Sequence, residues 1–207
     1  DMKKRVVLIS VAAASAVVLF FFLRAVFSGE LILNPVIVEG IGPFSIRWYG
    51  VMIATAIIVA YILGRHQGLK EGIEEDYMIE AVFIGIIFGV LGARIYYVVF
   101  NYEIYRGDFW SIFRTWDGGL AIHGAFFAAL LVTFFYVTFR KKANLKFLQA
   151  TDIFTAVLPL AQAIGRWGNF MNYEAYGSPT DLPWKMFVPL RYRMPGYYEF
   201  EYFHPTF

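Results

Sequence analysis

Within ten residues, Gly165, Arg166, Gly168, Asn169, Asn172 and Glu174 place a guanidinium, two carboxamides and a carboxylate beside two glycines. A guanidinium suits a phosphate because its forked donors meet two oxygens at once. The carboxamides add both donors and acceptors, and a carboxylate can hold the arginine or accept a proton. The glycines are expected to permit tight backbone turns. Three other stretches carry polar chemistry: Arg94, then His123 shortly after Asp117-Gly118-Gly119, and the run Arg47-Trp48-Tyr49. There is no cysteine, so disulfides, thiolate metal sites and a cysteine nucleophile are excluded from this chain. His66, His123 and His204 lie far apart and form no metal-spaced motif. Taken singly, each residue has a plainer explanation. Arg94 can snorkel to headgroups, His123 can be an interfacial histidine, and Trp48 and Tyr49 can anchor a helix at the bilayer surface. Asp152, near a helix start, is read as structural.

The elements that must position these groups are set by composition. Of 207 residues, 59% are hydrophobic and only 16% charged, which departs from soluble domains in the direction of a chain solvated by lipid. The aromatic share of 20% supplies Tyr and Trp for interfacial belts, and a net charge of +2 gives no electrostatic reason to expect a nucleic acid. Segments 6–27, 48–63 with its flanks, 79–100, 120–139 and 147–164 reach or approach the ~20 apolar residues that a spanning helix needs. None alternates like a barrel strand, so each is expected to be a helix. The chain is thus expected to be an all-α polytopic membrane protein. Gly85, Gly89 and Gly92 form a small-residue face suited to close helix packing. Met2-Lys3-Lys4-Arg5 before an apolar run has the outline of a signal peptide. At roughly 18 uncharged residues the run exceeds a signal core of ~7–15, so a retained anchor is expected rather than cleavage. Asp1 ahead of Met2 suggests a tag remnant or an inexact start.

Basic residues set the orientation. Lys3, Lys4 and Arg5, then Arg65 and Lys70, then Arg140, Lys141, Lys142 and Lys146 fall on one side if the helices alternate, and that side should be cytoplasmic. Arg94, His123, Arg166, Asn169, Asn172, Glu174 and Tyr49 then all sit toward the outer leaflet, with the polar motif just beyond the fifth helix. Polar groups at membrane depth are functional candidates, and the phosphates available at that surface are lipid headgroups. From Gly177 onward, Pro179, Pro183, Pro189, Pro195 and Gly196 punctuate loops and short strands.

The motif Gly165-Arg166-x-Gly168-Asn169-Phe170-x-Asn172-x-Glu174 resembles that of the prolipoprotein diacylglyceryl transferases. Ile46-Arg47-Trp48-Tyr49-Gly50 and Trp116-Asp117-Gly118-Gly119-x-x-x-His123-Gly124 resemble two more blocks of that family, in the same order. Gly92-x-Arg94-x-x-Tyr97 and His204-Pro205-Thr206 are similar as well, so the resemblance runs from about residue 36 to 207. It implies transfer of a diacylglyceryl group from phosphatidylglycerol to the lipobox cysteine of a prolipoprotein in the bacterial cytoplasmic membrane, with no cofactor and no metal. The nucleophile then belongs to the substrate. By the same resemblance His123, Arg166 and Glu174 are expected to be catalytic, with His123 as base. Tyr49, Arg94, Asn169, Asn172 and Gly177 are expected to bind substrate or shape its site. The expected domains are an extra N-terminal transmembrane anchor (1–28), a transmembrane catalytic core (29–176) and an extracytoplasmic loop-rich segment (177–207). Departures are Ala125 in place of a family glycine, an additional first helix, and an end before the family's later helices, which carry a further arginine and glutamate. A non-enzymatic phospholipid-binding or transport protein is the rival reading. It would want polar residues at several depths, whereas the mid-membrane stretches here are nearly free of charge.

Overall fold

The computed structural model describes residues 2–41, 44–141 and 145–207, with the backbone alone for Ile41, Phe44 and Asp117. Asp1 and Lys142 of the basic loop lie outside the described residues. The order is α1 (Met2–Ser28), β1 (Val36–Ile41), β2 (Phe44–Arg47), α2 (Trp48–Lys70), α3 (Glu75–Phe100), α4 (Tyr102–Tyr105), α5 (Ile122–Phe139), α6 (Phe147–Met171), β3 (Met186–Phe187) and β4 (Tyr202–Phe203). The helices α1, α2, α3, α5 and α6 are long and apolar enough to cross a membrane. Their outward side chains are large and apolar, among them Phe83, Ile95, Phe127 and Leu131. A surface of that kind is stable against acyl chains and not against water. The protein is a mostly helical polytopic membrane protein with little sheet.

Four helices run further than hydropathy alone indicates, α1 and α3 each beginning four residues earlier, at Met2 and Glu75. The second continues past Leu63 to Lys70, and the fifth spanning helix passes Ile164 to end at Met171. Polar side chains at a helix end reach the headgroup layer, so the intrahelical ladder persists after the apolar run stops. Arg166 and Asn169 are therefore helical, which corrects their expected place beyond the helix. Gly165 and Gly168 lie inside α6 and form no tight turn.

Contacts divide the chain into two units, residues 1–54 with 163–207, and residues 55–162, the divisions falling inside α2 and α6. In the second unit α3 and α5 pack antiparallel. Ala121 N donates to Ala93 O at 3.1 Å near one end, and Tyr136 Oη donates to Tyr77 O at 2.9 Å near the other. Their backbones touch at Gly92 and Gly124: a Cβ on Gly92 would lie 2.7 Å from Gly124 O, and one on Gly124 would strike Gly92 O. Gly85 and Gly89 have no atom of another element within 4 Å of that position. The three-glycine face thus narrows to one contact, because only the Gly92 level of α3 lies at the crossing. The N-terminal end of α3 is charged, with Glu75 bonded to Arg65 at 2.6 and 2.7 Å and Glu80 paired to Arg140. From Glu75 to Arg94 the helix rises roughly 28 Å, close to the ~30 Å of a hydrocarbon core.

In the first unit β1 and β2 form an antiparallel hairpin, and Trp48 N donates to Pro35 O at 3.0 Å where α2 begins. The apolar core of this unit gathers Val26 of α1, Phe170 of α6, and Tyr173, Tyr176, Met186, Val188 and Phe203 of the C-terminal segment. The β3–β4 pair aligns Met186 with Phe203 and Phe187 with Tyr202. These are the short strands expected after Gly177, stapled by side chains because two residues per strand carry little ladder energy.

A branched side chain at Gly124 should prevent the helix crossing. Gly124→Val is expected to destabilise the protein by about 2 kcal/mol or more through overpacking against backbone, whereas Gly89→Ala, which meets nothing, leaves it unchanged. Thermal unfolding in detergent micelles measures both.

Candidate functional site

The polar motif occupies the last two turns of α6 and the chain that follows. Gly168 is buried because Tyr49 lies against it: a Cβ there would stand 2.7 Å from Tyr49 Cδ2 and 3.3 Å from Tyr49 Cα. Its role is close approach, which fixes the start of α2 against the end of α6. Arg166 is exposed and has no hydrogen-bond or ion-pair partner among the described residues. A cation is at ease near a helix C-terminus, where carbonyls point outward. That end offers no free N–H groups to an anion, so any phosphate held there depends on the side chain of Arg166 and not on the backbone.

Beyond Met171 the backbone folds back on the helix. Asn172 N donates to Gly168 O at 3.1 Å, and Glu174 N donates to Asn169 O at 2.9 Å. Asn172 Nδ2 donates to Glu174 Oε1 at 3.2 Å, while Asn172 Oδ1 is buried without a donor among the described residues. Tyr173 and Ala175, on either side of Glu174, both take the left-handed conformation with φ +55°. Residues with a Cβ rarely do so, and the surroundings must hold them there. Gly177 N donates to His204 O at 2.8 Å, and a Cβ on Gly177 would lie 3.0 Å from both His204 Cβ and Thr206 Cγ2. Thr206 Oγ1 donates to Ala175 O at 2.7 Å. Gly177 thus lets residues 204–206 close over the turn that carries Glu174.

Arg94 and His123 belong to the second unit. Arg94 is only 7% exposed, and its guanidinium is fully used. Nε donates to Ile112 O at 2.7 Å, Nη1 to Gly118 O and Gly119 O at 2.7 and 2.9 Å, and Nη2 to Ser111 O and Arg114 O at 2.7 and 3.3 Å. An arginine has five N–H donors, so all are committed to carbonyls of the connection between α4 and α5. Its donors are thus met inside the protein, while the side chain also borders the open cavity beside the loop. The buried Tyr105 ring adds a cation–π contact at 5.1 Å. Gly118 and Gly119, with φ +88° and +77°, turn their carbonyls inward, and a Cβ on Gly119 would strike Arg94 Nη1. An open cavity of about 320 Å³ lies beside this loop, lined by Tyr97, Tyr105, Asp108, Ser111 and Arg114 among others.

His123 is the second residue of α5, exposed, and stacked on Tyr96 at 6.0 Å and 26°. Tyr96 stacks in turn on Phe100 at 4.4 Å. One face of α3, through Gly92, Tyr96 and Phe100, therefore seats the start of α5 and the imidazole together. Tyr96 was not singled out by sequence, since an aromatic in an apolar span looks like packing. Its signal was the four-residue spacing shared with Gly92 and Phe100. Of the expected site residues, Tyr49, Arg166, Asn169, Asn172, Glu174 and Gly177 fall in the first unit, and Arg94 and His123 in the second. Among the described residues no three His, Cys, Asp or Glu side chains gather.

Residues 35–207 match the family described as prolipoprotein diacylglyceryl transferase. The chain is 52% identical over 209 residues to a Thermotoga petrophila protein named phosphatidylglycerol–prolipoprotein diacylglyceryl transferase, covering 100% of this chain and 70% of that one. A Fervidobacterium nodosum protein of the same name is 53% identical over 205 residues, covering 99% of this chain and 69% of its own length. A more distant one from Nostoc is 43% identical over 174 residues, covering 84% and 60%.

Removing the Arg94 side chain takes its donors from five loop carbonyls at once. Arg94→Ala is expected to cost roughly 3–5 kcal/mol locally, seen as faster hydrogen exchange across residues 109–121. Arg94→Lys, with three donors and no fork, should recover only part of the protection. Exchange unchanged in Arg94→Ala would show that the loop does not depend on it.

Proposed function

This chain belongs to the prolipoprotein diacylglyceryl transferase family, and on that footing we propose that it moves the diacylglyceryl group of phosphatidylglycerol onto the lipobox cysteine of a prolipoprotein. In the balanced step, the substrate sulfur forms a bond to the glyceryl carbon. The bond from that carbon to the phosphate oxygen breaks, glycerol phosphate leaves, and the thiol proton passes to a base. The thioether product is the first intermediate of bacterial lipoprotein maturation. The single observation that carries this reading is Arg166, an exposed cation without a described partner, on the helix turn that also bears Asn169 and leads into Asn172 and Glu174.

The leaving phosphate gains negative charge as its ester bond breaks, and a guanidinium stabilises that change more than it stabilises the bound lipid. Arg166 is assigned this role, with Asn169 as a headgroup contact and Glu174 orienting Asn172. His123 takes the thiol proton: free cysteine titrates near 8.5, and a histidine base raises the thiolate fraction at neutral pH. Tyr49 and Gly177 set the shape of the lipid site. Arg94 acts as a positioning residue for the loop that leads to His123. The basic segments favour an orientation with the polar ends toward the outer leaflet of the cytoplasmic membrane, where phosphatidylglycerol and an exported peptide would both be available.

The test is thioether lipidation of a lipobox peptide by the full-length protein in phosphatidylglycerol nanodiscs. Arg166→Ala is expected to lose at least about 100-fold in kcat, with Arg166→Lys only partly active because a point charge replaces a fork. In His123→Gln the acid limb of the pH–rate profile should disappear; an unchanged profile removes His123 from the proton transfer. Lipid binding without any product from the folded parent protein would favour the phospholipid-handling alternative.

A further inference from the structure

The family match begins at residue 35, yet the residues before it build part of the wall behind the polar motif. Val26 is 1% exposed, and Phe22, Leu23, Phe27 and Leu33 pack on the same cluster as Phe170 and Tyr173. The Phe27 and Phe170 rings are 5.7 Å apart. Gly29, with φ +83°, brings the chain so close to Phe187 that a Cβ would lie 2.7 Å from its ring, and Tyr202 Oη donates to Ser28 O at 3.2 Å. A membrane anchor needs none of these contacts, which all lie at one end of α1. The rest of the helix, such as Leu8 and Val17, is open to lipid.

One contact leads directly into the motif. Leu33 N donates to Tyr173 Oη at 2.8 Å across 140 residues of chain. Tyr173 is 2% exposed, stacked on Tyr192 at 5.1 Å, and left-handed at φ +55°. A residue with a Cβ holds that conformation only where its surroundings over-determine it, and here the ring is stacked and the hydroxyl bonded. The left-handed step turns the chain at Tyr173, so that Glu174 N returns to Asn169 O and Glu174 Oε1 reaches Asn172 Nδ2. Burial pushes the Tyr173 phenol above its ordinary range, so it remains a neutral acceptor for Leu33.

We infer that residues 22–33 are a positioning element for the Asn172 and Glu174 pair, acting through Tyr173. The first helix, in addition to holding the protein in the bilayer, sets the geometry of the polar motif from behind. This rests on the assignment of that motif to lipid transfer, and it adds residues on which that assignment is silent.

The experiment uses the full-length protein in phosphatidylglycerol nanodiscs with two readouts, peptide lipidation and hydrogen exchange across residues 169–177. Tyr173→Phe keeps the ring and removes the acceptor, Val26→Ala loosens the wall, and Val17→Ala is the lipid-facing control. Tyr173→Phe and Val26→Ala are expected to lower kcat about tenfold by misplacing the pair, with the peptide KM unchanged and exchange raised across 169–177. Val17→Ala should match the parent protein in both. In a Glu174→Gln background Tyr173→Phe should add little further loss, because both act on one group. A merely stabilising contact would instead give the same loss in either background, and that result overturns the inference. So does Tyr173→Phe with parental kcat and exchange. Should the parent protein itself form no product, the lipid-transfer reading fails, and exchange alone decides the positioning: no rise in Val26→Ala overturns it.

Discussion

Backbone that leaves regular structure beside a bilayer must find hydrogen-bond partners inside the protein, because acyl chains offer none. Residues 111–119 are such backbone, formed of short 3-10 turns and two left-handed glycines. Five of their carbonyls converge on one guanidinium, that of Arg94. Because Arg94 projects from the C-terminal part of α3, the loop inherits the position of the helix. The contact of Gly92 with Gly124 and the stacking of Tyr96 on His123 come from the same turns. The place of the candidate base therefore depends on a side chain with no donor left for a substrate.

The other unit meets a related demand with apolar packing. The backbone around Glu174 is left-handed twice, a conformation that costs energy for residues bearing a Cβ. What holds it is the cluster around Phe170, Met186, Val188 and Phe203, with the end of α1 as one wall. Ring stacking and burial fix Tyr173, and the hydroxyl contact with Leu33 joins that wall to the motif. Strain at one turn is thus balanced by burial across segments distant in sequence.

Charged groups in this protein divide by whether their donors are committed. Arg65 and Arg140 hold carboxylates at the N-terminal end of α3, and Arg94 holds carbonyls near its C-terminal end. Those arginines brace helices and loops. Arg166 is different, since no described residue satisfies it and the helix end beside it repels anions. An unspent guanidinium on a braced helix is suited to bind an incoming phosphate and to strengthen its hold as charge grows there.

Five spanning helices and the residues of the motif were legible in the sequence, because apolar run length and local residue order are properties of the chain alone. Ring and glycine functions were less so. Gly165 and Gly168 suggested turns, but the helix ladder runs through them, and Gly168 serves the approach of Tyr49 instead. Arg94 carried the same chemical promise as Arg166, and no local pattern tells a spent guanidinium from a free one. That difference comes from carbonyls 17 to 25 residues away that meet only on folding. Sequence by itself determined which segments are long and apolar enough to span a membrane and which polar groups lie near their ends. Tertiary structure decided which of them are committed to the protein, because hydrogen-bond partners and close backbone approaches are made between segments far apart in the chain.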